Sequence, residues 1–150
     1  MPQIDFYHLK DDGLALAVAM LADKSVASGQ KFLIYCPVSL TDIISECLWT
    51  ARADNFLAHG VDDEEGASDA PVWITTKADA NPVAAKFICL LDGVEIPDLQ
   101  QFDRIFNIFD GSRPDKTEQA RSQWKNWSAL SDAECRYFAQ NERGAWELKR

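Results

Sequence analysis

Residues that could do chemistry concentrate in one stretch near the C-terminus, KTEQARSQWKNW, Lys116 to Trp127. It is a break-free run behind a loop rich in Asp, Gly and Pro (DGSRPD, Asp110 to Asp115). At about 3.6 residues per turn a helix there sets Thr117, Arg121, Trp124 and Lys125 on adjacent parts of one surface. A guanidinium beside an indole suits capture of a carboxylate that carries an apolar group, because the flat cation takes both oxygens and the ring covers the apolar part. The competing reading makes Trp124 and Trp127 core-facing anchors and Arg121 and Lys125 a solvated edge, since aromatics at helical spacing usually mark a core.

The remaining candidates are poor in machinery. His8 and His59 stand alone, and His8 lies inside a strand pattern, so it reads as a structural side chain; one ligand makes no metal site. The acidic run from Val61 to Asp69 reads as a solvated loop, because consecutive carboxylates lack the spacing of a calcium loop. Cys36, Cys47, Cys89 and Cys135 are far apart with no C-x-x-C pair, which suggests neither a zinc ribbon nor a redox dithiol; most read as buried, reduced thiols. No serine sits in a G-x-S-x-G elbow, and no carboxylate pair is placed near a nucleophile. The loops after Leu9 and Cys36 lack both glycine-rich phosphate-binding patterns, so a close backbone cradle for a nucleotide is not expected. No catalytic residue, cofactor or metal is therefore assigned.

Charge narrows the partner. The formal net charge is -9, which argues against gripping a nucleic-acid backbone, since counterion release needs clustered Lys and Arg. Met1 to Gly111 carries 7 basic and 18 acidic residues, whereas Ser112 to Arg150 carries 8 basic and 6 acidic. The C-terminal segment thus favours an acidic partner that the larger segment repels, and capture should be local to the C-terminal face. No secretory leader is visible and no apolar run approaches the roughly 20 residues that span a bilayer, so a cytoplasmic protein without membrane contact is expected. A chain of 150 residues suits one domain, residues 1–150, with a sizeable core.

The elements that must position the cationic helix follow from periodicity. Gln3 to Leu9 alternates as a strand; Gly13 to Ser28 is a helix with Leu14, Val18, Leu21 and Ser25 at helical spacing and Gly29 as its C-terminal cap. Lys31 to Cys36 is a strand buried on both faces. Strand, helix, strand with short connections is normally a parallel unit, which points to an open α/β sheet. A second helix is expected from Ser39, with its hydroxyl as cap, to about Thr50, carrying Trp49 near its exit. The stretch from Leu48 to Gly66 beyond it is too polar and irregular for a core element, and Phe56 in it is either a plug or a partner contact. Val72 to Thr75, Phe87 to Leu91 and Arg104 to Phe109 are further strands, Asp98 to Phe102 a short helix, and the segments either side of Asn141 to Gly144 a terminal hairpin.

This order of elements, the opening strand with Phe6-Tyr7, the GQKFLIYC strand, Leu48-Trp49 followed by Phe56 and His59, and ARSQWKNW in the last helix resemble the chi subunit family of bacterial DNA polymerase III. The resemblance spans essentially the whole chain; Leu48-Trp49 with Phe56, and Arg121 with Trp124 and Trp127, are its most specific parts. It implies a non-catalytic adaptor of the replisome: an α/β fold, Rossmann-like but without a nucleotide site, that binds the acidic C-terminal tail of single-stranded-DNA-binding protein. That tail ends in Phe and a free carboxylate. Carried over, Arg121 pairs with the terminal carboxylate and Trp124 walls the pocket for the Phe. Where the family often has a Lys one turn before the Arg, this chain has Thr117; either Lys116 beside it substitutes or the grip is weaker, and Lys125 adds to the same field. Trp49 and Phe56 fall on the family's second surface, which meets the psi subunit, the clamp loader or a helicase.

A reading of another class remains beside it, in which a small-molecule or enzymatic site uses the C-terminal edge of the sheet, the usual ligand location in open α/β folds. Direct binding of single-stranded DNA is disfavoured by the net charge and the lack of a basic groove with repeated aromatics.

Overall fold

Strands whose residues are apolar at nearly every position bury both faces, and a sheet made of them needs cover on both sides. The computed structural model describes residues 2–9, 13–50, 59–61, 70–78, 81–130, 133–140 and 146–149, and within them the expected architecture is present. In chain order the elements are β1 (Gln3–Leu9), α1 (Leu14–Ala27), β2 (Phe32–Tyr35), α2 (Thr41–Thr50), β3 (His59–Val61), β4 (Val72–Thr75), β5 (Phe87–Leu91), β6 (Arg104–Asp110), α3 (Pro114–Ser128), β7 (Glu134–Gln140) and β8 (Trp146–Leu148). The strands form an open 8-stranded sheet in the order β3-β4-β2-β5-β6-β1-β7-β8. Every pairing is parallel except β7 with β8, the antiparallel C-terminal hairpin.

Alternation along the strands separates two cores. Tyr7 and Leu9 of β1, Phe32 and Ile34 of β2, and Phe106 and Ile108 of β6 face α1 and α2, where Val18, Ala22, Ile44 and Leu48 meet them. Ile4 and Phe6, Leu33, and Ile105 and Phe109 face the opposite way, toward Ala120 and Trp127 of α3. Each of these side chains is nearly or wholly withdrawn from water, a removal worth about 1.5–3 kcal/mol per large side chain.

Several local expectations need correction. Gly29 follows α1 with φ +88, as a C-terminal cap glycine should. Ser39, by contrast, does not cap a helix: it lies inside a 3-10 turn, Val38–Leu40, that leads into α2 at Thr41. The short helix after β5 is a 3-10 turn, Leu99–Gln101, whose entry is capped by Asp98 accepting from the Gln100 amide at 3.0 Å. Pro114 and Asp115 belong to the first turn of α3 and not to the loop before it, because proline at the helix start gives up an amide that has no partner there. His59–Val61 forms a strand where only irregular chain is expected. Gly60 is buried beneath the Trp73 indole, which a Cβ would overlap, so the pairing depends on a neighbour remote in sequence. Phe56 and most of the acidic run lie outside the described residues.

Candidate functional site

Helix α3 carries three stripes. Lys116, Gln119 and Gln123, spaced at helical intervals, reach back to the turn after β5, where Asp92 (φ +57) and Gly93 (φ +84) both adopt left-handed backbone. Lys116 Nζ lies 3.0 Å from Asp92 Oδ1 and 3.3 Å from its carbonyl oxygen. Gln119 and Gln123 each donate to the Gly93 carbonyl, at 3.2 and 3.3 Å, and Gln123 accepts from Asn107 of β6 at 2.9 Å. Without a Cβ, Gly93 lets Gln119 lie against it. This stripe holds the helix to the sheet.

The second stripe enters the core. Ala120 and Trp127 are buried, and the Trp127 ring lies 5.6 Å from that of Phe6, so Trp127 is a core residue. Trp124 sits at the boundary: it is half-buried, meets Phe6 edge-to-face at 5.2 Å, and turns its other side to Tyr137 at 5.9 Å with the planes 83° apart.

The third stripe is exposed. Arg121, about 60° round the helix from Trp124 at 100° per residue, makes no ion pair among the described residues. Arg121 and Trp124 on one side, with Tyr137 of β7 and Lys149 after β8 on the other, line a cleft of about 360 Å³. The hairpin builds the far wall. Lys149 donates its backbone N–H to the Tyr137 carbonyl at 2.7 Å, while its ammonium lies 2.9 Å from Glu147 on an exposed edge. The Tyr137 hydroxyl lies 2.6 Å from His8 Nδ1, which fixes the ring from below and gives His8 the structural partner expected of it. The arrangement is an aromatic slot with a guanidinium and an ammonium at its mouth. It can hold an apolar side chain and pair the carboxylate beside it.

Of the residues singled out in the sequence, Arg121 and Trp124 meet in this cleft. Lys125 is exposed on the next part of the same helix and does not line it. Lys116 is engaged with Asp92, and Thr117 donates to the carbonyls of Arg113 and Gly111 at 3.2 and 3.4 Å. Trp49 lies on α2, 52% exposed, with its ring edge-on to His59 at 5.3 Å; His59 in turn bonds Ser45 at 2.8 Å. Tyr137 and Lys149 have no signature of their own. The surplus of basic residues after Ser112 points to their region, but only the sheet brings β7 beside α3.

Other sites offer less. At the C-terminal ends of β2 and β4 the cavity near Tyr35 and Thr75 holds about 10 Å³, room for a single water at most. All four cysteines are free thiols, and burial pushes Cys89, Cys47 and Cys135 up, away from reactive thiolate. Among the described residues there is no cluster of three or more metal-ligating side chains, and no helix is long and apolar enough to cross a membrane.

Residues 1–133 match the family model described as DNA polymerase III chi subunit, HolC. Among curated proteins none matches the chain. The matched range takes in Arg121 and Trp124 and stops before Tyr137 and Lys149.

Proposed function

The chain belongs to the DNA polymerase III chi subunit family, non-catalytic accessory subunits of the replisome, and on that premise we propose that it is an adaptor that binds an acidic protein tail in the α3–β7 cleft. The tail is the C-terminal segment of single-stranded-DNA-binding protein, which ends in Phe and a free carboxylate. Residues 1–150 act as one cytoplasmic domain. The observation that supports this reading is the convergence of Arg121, Trp124, Tyr137 and Lys149 on a single cleft in a chain of net charge -9. The Phe packs in the cleft against the contacting Trp124 and Tyr137 rings, and Arg121 takes the terminal carboxylate in a charge-assisted pair. Lys149 and Lys125 add positive field at the rim. Lys116 and Thr117 act one step removed, by holding the first turns of α3.

The second contact of the adaptor runs through Trp49, with Phe56 beside it in sequence, and meets psi, the clamp loader or a helicase. Half-exposed indole on α2 supports this surface, since Trp is enriched at interface centres. Helix α2 and the cleft lie on opposite faces of the sheet, so both partners can be held together.

Titration with an acidic peptide ending in Asp-Ile-Pro-Phe tests the reading. Micromolar affinity, roughly 8 kcal/mol, lost on amidating the terminus and in Arg121→Ala, is the expected result. Equal binding by the variant, or none by the free acid, overturns it.

A further inference from the structure

On the face opposite the tail cleft, open clefts lie between α1 and the sheet among the described residues. One flank of α1 packs against α2. Its other flank, Ala17, Leu21 and Lys24 at helical spacing, looks onto β1, β6 and β7 across two adjoining clefts of about 310 and 220 Å³ that share Tyr7, Leu21 and Lys24. The first runs to Phe87 and Arg104 and the second to Phe138 and Trp146, so together they make one trough along the helix. Its aliphatic rim is open to water: Met20 is 50% exposed.

The trough is cationic in an acidic chain. Asp5, wholly buried, is bonded by Arg104 at 2.6 Å and by Arg136 at 2.9 Å; Glu134 also acts on Arg136, and with Lys24 the three cations still outnumber these two carboxylates. Arg104 lies 4.7 Å over the Phe106 ring and Arg136 5.1 Å over Phe138, which displays both cations on an aromatic floor. Arg104 Nε is buried with no acceptor, and Lys24 has no carboxylate partner among the described residues. Two positive centres thus flank an apolar channel, while the chain as a whole carries -9.

We infer that this trough is a third docking site, distinct from the tail cleft and the Trp49 surface, for a protein segment that sets acidic side chains beside bulky apolar ones. The apolar groups lie along Leu21, Tyr7 and Trp146, and the carboxylates reach Lys24 and the Arg104–Arg136 pair. A nucleic-acid strand fits less well, because stacking needs free ring faces and here guanidiniums already cover Phe106 and Phe138. The inference goes beyond the tail-binding reading and does not rest on it.

The test is an NMR titration of the ¹⁵N-labelled full chain with an acetylated and amidated peptide, Glu-Leu-Phe-Asp-Glu-Leu-Phe-Asp, which has no free C-terminal carboxylate for the first cleft. Expected are shifts at the Tyr7, Leu21, Lys24 and Phe138 amides and the Trp146 indole. Lys24→Glu and Met20→Glu, both at exposed positions that leave the cores intact, should each weaken binding about tenfold, while Arg121→Ala and Trp49→Ala leave it unchanged. No trough shifts up to millimolar peptide, shifts centred on Trp124 and Tyr137, or equal binding by Lys24→Glu overturns the inference. So does concentration-dependent shifting of the trough without peptide, abolished by Met20→Glu, which would assign the surface to a second copy of this chain.

Discussion

The Tyr137 hydroxyl and His8 Nδ1 are 2.6 Å apart, and this bond ties the far wall of the cleft to the neighbouring strand β1. Tyr137 also makes ring contacts, to Trp124 at 5.9 Å and Phe109 at 6.3 Å, which are less directional than this bond. Tyr137→Phe keeps the ring and removes the bond, whose net worth is about 1 kcal/mol. The variant should bind the tail peptide roughly fivefold more weakly, with Tyr137→Ala losing more because the wall itself goes. Isothermal titration of the three proteins checks the order; a Phe variant as weak as the Ala variant would refute it.

The same wall depends on a glycine two strands away. Gly111 follows β6, its amide donates to the Leu9 carbonyl at 2.7 Å, and the His8 ring lies against its Cα. A Cβ there would overlap His8 and come within 2.6 Å of the Leu9 carbonyl oxygen. Gly111→Ala should therefore cost about 1–3 kcal/mol of stability and displace Tyr137 through His8, weakening the peptide as well. Chemical denaturation and the same titration measure both effects; unchanged stability would show that the turn relaxes freely.

Cations on α3 should divide by what they touch. Arg121 stands at the cleft mouth with no ion pair among the described residues, and Arg121→Ala is expected to cost about 2 kcal/mol of binding with little change in stability. Lys116 is committed to Asp92, so Lys116→Ala should do the opposite and lower stability by less than about 1 kcal/mol, with affinity almost unmoved. Lys125→Ala should act mainly through salt dependence, as rim charges do. Titrations at low and high salt, paired with urea melts, separate the three; a larger binding loss for Lys116 than for Arg121 would reverse the assignment.

How far all this is legible in the sequence depends on whether a neighbour remote in the chain decides it. Strands β1, β4 and β5 are read to the residue because runs buried on both faces advertise themselves, and the helical period alone brings Arg121 beside Trp124. His59–Val61 is not legible, since its pairing depends on Trp73 lying over Gly60. The helical period also leaves Trp124 and Trp127 equivalent; both rings meet Phe6, and only in the fold is Trp127 buried while Trp124 stays half-buried at the boundary beside Tyr137. Tyr137 and Lys149 escape for the same reason as the trough does. Predicting a hairpin does not tell which strand it joins, and it is the parallel pairing of β7 with β1 that carries Tyr137 to α3 and Phe138 to α1.

Asp5 makes the sharpest prediction about pH. Burial by itself raises its carboxyl, but hydrogen bonds from Arg136, Arg104 and Gln3 outweigh that and hold the pKa below the ordinary 3.8. A carboxyl whose folded pKa lies below its unfolded one binds fewer protons in the folded state between the two values. Its contribution is therefore complete above about pH 4 and is lost as pH falls through the folded value. Asp5→Asn removes the charge while nearly keeping the shape, and it leaves two guanidiniums without their counterion. Because each arginine side chain is 34% exposed, water relieves part of that, and the cost should sit near the low end of the range for a broken buried pair, about 3 kcal/mol at pH 7. Urea melts of the two proteins from pH 7 down to pH 2 should show the gap narrowing only below about pH 4. Parallel curves over that window would mean that the Asp5 carboxylate is no more stable folded than unfolded, and the clamp would have to be read as packing alone.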